Sequence, residues 1–380
     1  MKNALWEYKA ENEHSAMVVS LVENSSLNLL PLICRRSTRV ILRMLKSLFH
    51  ISQLYPSFGF HYIQVAWIKH RIKKENAQRP IVVVSLIGRL GDIVAGEPIS
   101  RHIRNEFRDA FIIWCVSKPY GELIDSNPYI DKTLIVHCLT EWIYLAKTSL
   151  FDEIVDLHFH GRRCCALPLE KHRGNKDINH QNYFDFGSLL GIFCQVSDLP
   201  VLSCQPNVYI PVTVIKRIDT LLLPSPYIVF HCQSRSRSRD WVTDKWRELA
   251  QEIVEKLGLP IVEVGERSII NCLRGGSYID LSGRLSILET AEVIRRARMF
   301  VGVDSGPAHL ANAVGTYGVI LFGEYHTFKK YLPYTGGYAN GENAELIYAD
   351  GLTVDIPVDR VYEAVERKVQ PPRAIRCYQQ

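Results

Sequence analysis

Two loops hold the residues best suited to chemistry on a phosphorylated substrate. The first is Asp304-Ser305-Gly306-Pro307-Ala308-His309, directly after the apolar run Met299–Val303. An apolar run, a turn cluster and then a series of small residues read as a buried strand, a tight turn and a helix start. That geometry gathers free backbone N–H groups and the positive end of a helix at one point, which suits a phosphate. Gly306 lets a ligand approach the backbone, Pro307 fits the first helical turn, and His309 sits one turn inside. The second loop is Gly88-Arg89-Leu90-Gly91-Asp92, after the near-continuous β-branched run Ile81–Ile87. It offers a carboxylate near a helix start, either as an N-cap or as a base. Between the two in the chain, Ser234-Arg235-Ser236-Arg237-Ser238-Arg239 follows a strand and could neutralise a diphosphate.

Other chemistries fail on their own signatures. The first loop is not G-x-G-x-x-G, and the next strand, Ile112 to Ser117, ends without the acid that would hold an NAD ribose. No Walker A loop, Asp-x-Asp pair or G-x-S-x-G elbow occurs. His158 and His160 alternate along a possible strand and would face the same way. They lack an evident third ligand, so they are placed on the acceptor side of a cleft or in the strand's packing rather than at a metal. Lys171 to Lys176 reads as a basic surface loop, and Tyr331-Leu332-Pro333-Tyr334 is expected beside the Asp304 turn.

The elements that must position these loops come from pattern and composition. A length of 380 residues suggests two domains. Hydrophobic content of 47% with 22% charged residues describes an ordinary globular chain. A net charge of +5 suits an anionic substrate or membrane face and is too mild for a nucleic-acid binder. Ten cysteines without a C-x-x-C pair fit a reduced, cytoplasmic setting. No apolar run is long enough to span a bilayer, and no signal peptide is evident. Residues 1–79 read as an extension. Apolar residues recur at helical spacing from Ser37 to Leu54, interleaved with arginine and lysine, as in a membrane-surface helix or a helix packed on the main domain. From Pro80, short buried strands at 81–87, 111–116, 133–136 and 153–157 alternate with helices as one Rossmann-like domain, 80–222. A second, 223–370, has strands at 227–231, 260–264, 278–281, 300–303 and 319–322, a capping box at Ser286 and Glu289, and a terminal strand–helix unit at 354–369. Residues 371–380 form a tail.

Four stretches together resemble glycosyltransferase family 9, the ADP-heptose:lipopolysaccharide heptosyltransferases. They are Gly88 to Val94; Arg239-Asp240-Trp241 leading into Trp246-Arg247-Glu248-Leu249; Asp280 to Ser286; and Phe300 to Ala311, continued by Val319 to Gly323. The likeness covers roughly residues 80–370 and leaves the extension out. It implies an α/β GT-B fold, two Rossmann-like domains facing across a cleft, here with an N-terminal helical extension. It also implies inverting transfer from a nucleotide-diphosphate sugar without a metal or other cofactor. By position, Asp92 matches the family's base and Arg239 stands where a lysine usually contacts donor phosphate and sugar. Glu266 matches a ribose-binding glutamate, and Asp304 an aspartate on the sugar hydroxyls. Ser305 and Gly306 match the phosphate turn, and His309 the histidine beside it. Ser234 is counted with the donor loop, and Arg89, His158 and His160 with the acceptor side.

Inverting transfer needs a base at the acceptor hydroxyl and support for the leaving diphosphate. Asp92 would be the base, with Arg239, the Ser305 and Gly306 amides and His309 carrying the charge. The expected activity is glycosyl transfer, with ADP-heptose as donor and a lipopolysaccharide or other surface glycan as acceptor, at the inner face of the cytoplasmic membrane. The alternatives are a non-catalytic nucleotide-sugar-binding relative and a nucleotide-sugar epimerase on the same plan.

Overall fold

The computed structural model describes residues 32–75, 78–164, 167–271 and 276–369, without the side chains of residues 32–51 and 53. The predicted amphipathic pattern from Ser37 to Leu54 therefore lies almost wholly outside the described side chains, and the tail lies outside the described residues. The chain divides into Met1–Tyr55 and Pro56–Gln380, and both sheets belong to the second unit.

Helix α1 (Leu32–Glu75) leads into the first sheet. There β1 (Ile81–Ser85), α2 (Leu90–Glu106), β2 (Phe111–Val116), α3 (Gly121–Asp125), β3 (Lys132–Ile135), α4 (Leu139–Ala146) and β4 (Glu153–Asp156) alternate. All pairings are parallel and the order is β3-β2-β1-β4. Helices α5 (Leu189–Val196) and α6 (Val212–Asp219) lie in the connection. The second half holds β5 (Ile228–His231), α7 (Thr243–Glu252), β6 (Ile261–Glu263), β7 (Tyr278–Asp280) and α8 (Ile287–Arg296). It continues with β8 (Met299–Val303), α9 (Gly306–Ala313), β9 (Gly318–Phe322), β10 (Ala344–Tyr348) and α10 (Val358–Val369). Its parallel order, β10-β9-β8-β5-β6-β7, is that of a dinucleotide-binding fold. In each sheet the order reverses beside the first strand, between β1 and β4 and between β5 and β8. Such switch points open a crevice at the carboxyl ends of the strands, where ligands bind.

The strands form where β-branched runs are buried on both faces, as parallel strands require: every residue of β1, β8 and β9 is buried. The capping box at Ser286 is present, with Glu289 N–H donating to Ser286 Oγ at 3.2 Å and Ser286 N–H to Glu289 at 2.8 Å. Two expectations change. The unit at 354–369 supplies the helix but not its strand; the edge strand is β10, whose Ala-Glu-Leu-Ile-Tyr run is too short and mixed to stand out. His158 and His160 lie beyond β4, in the loop after it.

Packing joins the halves. One apolar core includes Val84, Ile93 and Trp114 of the first and Val229, Phe300 and Leu310 of the second. The buried Glu97 of α2 accepts from Arg101, from the Asn207 N–H at 2.9 Å and from Tyr209 Oη at 2.9 Å, fixing the connector. Glu122 of α3 accepts the Ile287 N–H at the start of α8 at 2.7 Å. The last turns of α1 are held by a buried carboxylate. Glu141 of α4 is fully buried and accepts from Ser57 Oγ at 2.8 Å, His61 Nδ1 at 2.6 Å and the His137 N–H at 2.6 Å. Removing it leaves the buried His61 ring, and the part-buried Ser57 hydroxyl and His137 N–H, without that acceptor, so Glu141→Ala should lower unfolding free energy by about 3 kcal/mol. Urea titration measures the loss, and limited proteolysis should then cut residues 56–75 first.

Candidate active site

The two predicted loops meet. Asp92 stands in the first turn of α2, where Arg89 is the N-cap and its N–H donates to Asp92 Oδ2 at 3.2 Å. The first turn of α2 packs directly on the first turn of α9. A Cβ added to Gly91 would lie 2.7 Å from His309 Cδ2, and one added to Gly306 would lie 2.8 Å from the Leu90 side chain. Only glycine at these two positions lets the helix starts approach so closely. His309 is buried and stacks near Tyr334, with ring centroids 4.6 Å apart. Burial lowers its pKa; Asp304 and Asp92 oppose that shift, and Arg239 adds to it. One imidazole thus lies in the field of acids from both halves.

Arg239 ends a short helical turn after β5 and reaches Asp304, at the end of β8. Its Nη1 donates to Asp304 Oδ2 at 2.7 Å, and its guanidinium lies over the Tyr325 ring at 4.3 Å. Asp304 also accepts from Tyr331 Oη at 2.7 Å and Tyr334 Oη at 3.1 Å, as the expected position of that tyrosine pair implies. Burial works against the Arg239 charge, but Asp304 outweighs it and holds the guanidinium above the ordinary arginine value. Among the described residues, Arg239 Nε is a buried donor without a partner, a group that a phosphate oxygen would satisfy. Phe184 stacks on Tyr331 at 4.6 Å, and Thr327 Oγ1 donates to the Gln181 carbonyl at 2.7 Å, so loops of both halves close over this cluster.

Ser305 is the N-cap of α9, and its Oγ lies 3.0 Å from His231 Nδ1, at the end of β5. This contact spans the switch point of the second sheet. Burial pushes the His231 pKa down to about 4, so the ring is neutral. Gly265 lies against the same ring, and Glu266 beside it is exposed at the rim. The loop is fixed by the fully buried Glu263, which accepts from Ser268 Oγ, Tyr278 Oη and the Ile269 and Ile270 N–H groups. Ser234 serves the Arg loop itself: its N–H donates to Asp240 at 2.6 Å and its Oγ to the Ser236 carbonyl at 2.7 Å. Ser234 to Arg239 is therefore a folded turn, with Arg235 and Arg237 exposed.

The acceptor-side expectations divide. Arg89 is exposed beside Asp92. His158 is buried and faces no substrate: its Nε2 accepts the Ile87 N–H at 2.8 Å and its Nδ1 pairs with Asp156 at 2.8 Å. With both nitrogens engaged, it positions the Asp92 loop and leaves no atom for a metal. His160 is half-buried and accepts the Lys171 N–H at 3.2 Å. Lys171, expected in a solvated loop, sends its ammonium inward to the carbonyls of Asp156, His158 and Val196, and burial lowers its pKa to about 8. Sequence reasoning missed His231, Glu263 and the inward turn of Lys171; each is an isolated polar residue whose partner is distant in sequence or a backbone atom.

Comparison with known proteins gives this arrangement a context. Residues 189–342 match glycosyltransferase family 9 (heptosyltransferase). Lipopolysaccharide heptosyltransferase 1 of Pseudomonas aeruginosa is 31% identical over 122 residues, 31% of this chain and 33% of that protein. The matched region therefore spans about a third of the curated relative's length. The glycosyltransferase family 9 structure from Veillonella parvula superposes with a TM-score of 0.58 at 16% identity, covering 76% of this chain and 97% of that one. E. coli ADP-heptose lps heptosyltransferase II gives 0.57 at 14% identity, covering 76% and 98%. The fold is GT-B, as the resemblance implied, and the chain is similar to the family-9 heptosyltransferases.

The His231 ring makes acid stability a readout of its burial at the switch point. The folded protein keeps this ring neutral, whereas the unfolded chain protonates it below about pH 6.5. Its contribution is complete above that pH and is lost as pH falls towards about 4. Between those values wild type should lose about 1.4 kcal/mol per pH unit from this group, and His231→Gln should flatten the slope by about one proton. Urea unfolding across pH 4 to 7 measures both.

Proposed function

We propose, with the likeness to family-9 heptosyltransferases as the premise, that this chain is a glycosyltransferase moving a heptose from ADP-heptose to a lipopolysaccharide-type acceptor. Transfer inverts the anomeric carbon and uses no metal. The observation that carries the reading is the contact of Gly91 with His309, which sets Asp92 of one half beside the phosphate-type turn of the other. The first half receives the acceptor and the second the donor, with boundaries near 80–222 and 223–370.

Asp92 takes the proton of an acceptor hydroxyl as its oxygen attacks the anomeric carbon, while the bond from that carbon to the diphosphate oxygen breaks and ADP departs. The backbone N–H of Arg89 holds the carboxylate in place. Charge develops on the departing diphosphate, where Arg239, the Ser305 and Gly306 amides and the largely neutral His309 receive it. Arg239 and the amides are fixed before substrate arrives, so the charge needs no metal to meet it. Asp304, surrounded by three donors, aims Arg239 and keeps its remaining acceptor capacity for a sugar hydroxyl. Glu266, at the rim, takes the ribose. On the acceptor side, His180 has its pKa lowered first by burial and then by Arg162 and Arg89, with Asp92 opposing. Arg89 and Arg162 thus lie near the base beside a neutral His180, and the two guanidiniums favour an anionic acceptor. Such an acceptor is anchored in a bilayer, so the protein works at the cytoplasmic membrane surface; among the described residues no helix is long and apolar enough to cross it.

Asp92→Asn should reduce transfer by about 10²–10⁴-fold with calorimetric ADP-heptose binding unchanged. Arg239→Ala should weaken both, raising the transfer barrier by about 2–4 kcal/mol. Full transfer by Asp92→Asn removes the base assignment. Folded protein that binds no ADP-, UDP- or GDP-sugar overturns the reading, and donor turnover without acceptor points to an epimerase.

A further inference from the structure

Helix α1 presents two opposed apolar stripes after Pro56. His61, Val65 and Ile72 are buried, and the apolar two pack with Ile81, Val83, Ile113 and Trp142 of the first sheet and α4. On the other side Phe60, Ile63 and Trp67 stand at successive turns, 65%, 69% and 57% exposed. At 100° per residue, these three fall opposite Val65 and Ile72. Single exposed apolar residues need no explanation, but three large ones in line form a patch that asks for a partner.

Charge decides which partner. The helix from Leu32 to Glu75 carries nine lysines and arginines and a single acid, Glu75, at its last residue. His70, Lys73 and Lys74 are exposed one to two turns beyond Trp67, and the Arg71 guanidinium lies 4.9 Å over the Trp67 ring. A second copy seated on this face would lay one cationic helix on another, which repulsion opposes. An anionic bilayer meets both features at once, with Trp67 and Phe60 entering the headgroup boundary and the cations resting on lipid phosphates. We infer that the Phe60–Ile63–Trp67 face of α1 docks on an anionic membrane surface. This deepens the membrane-facing part of the proposed function and names the residues that would perform it. The Ser57 and His61 bonds to Glu141 tie the helix to the first half, so docking would orient the fold rather than tether it loosely.

Flotation of the full chain with phosphatidylcholine vesicles, with and without phosphatidylglycerol, tests the inference. The protein should float with the anionic vesicles alone, and high salt should release it. Replacing the three residues together (F60S, I63S and W67S) should weaken binding by about tenfold or more. Thermal unfolding and ADP-heptose binding in solution should stay unchanged. Lys73→Glu with Lys74→Glu should weaken binding without touching the apolar stripe. The inference is overturned if wild type ignores anionic vesicles, if the triple variant binds as well as wild type, or if light scattering shows a dimer that the triple variant dissolves. Loss of donor binding with vesicle binding intact would count against the glycosyltransferase reading alone.

Discussion

Two helix starts meeting head to head is the constraint on which the site depends. The first turns of α2 and α9 come from different halves, and each presents partial positive charge. Bringing them together is unfavourable unless negative charge lies between or beside them. Asp92 in the first turn of α2 and Asp304 just before α9 supply it, and in the proposed function a diphosphate would add to it. The approach also requires Gly91 and Gly306, since a side chain at either would enter His309 or Leu90. Geometry and electrostatics therefore demand the same few residues.

Each sheet secures its crevice with a neutral or paired histidine at the switch point. In the first half His158, after β4, accepts the Ile87 N–H after β1. In the second His231, at the end of β5, meets Ser305 after β8. The pattern recurs although the histidines sit on non-equivalent strands. Both link the two loops that line a switch point, and both are buried. Loops pinned in this way are arranged in advance, which is what a preorganised site requires.

The fold was legible where one physical signal dominates. A β-branched run marked β1, apolar runs marked β5 and β8, and the Asp-Ser-Gly-Pro cluster marked the start of α9, because burial and turn chemistry act on neighbours in sequence. The Asp92 loop and the tyrosines near Asp304 were found for the same reason. The rest depends on contacts between distant residues. Nothing local distinguishes Glu263 from a surface acid or Lys171 from its basic neighbours; Glu263 is met by donors of the loop that follows it and by Tyr278, and Lys171 by backbone carbonyls of other segments. His158 misled for a related reason. Alternation with His160 suggested a shared strand face, but β4 ends at Asp156 and the chain turns before either histidine.

Arginine rather than lysine at position 239 follows from how this pocket is built. A lysine carries its three donors on one nitrogen, so a bond to Asp304 and a bond to an anion would both have to start from that same atom. The guanidinium bonds Asp304 through Nη1, lies over Tyr325 with its face, and still has its buried Nε without a partner among the described residues. A buried donor left unpaired costs about 1–3 kcal/mol, a cost the fold bears through the Asp304 ion pair and the tyrosines around it. That cost would be removed by an anion accepting from Nε, which is what the proposed function asks of this position. The tyrosines take part in this balance as donors: burial, and after it Asp304, keep the Tyr331 and Tyr334 hydroxyls protonated, so the carboxylate is held from three sides and cannot swing to cancel Arg239 in another way.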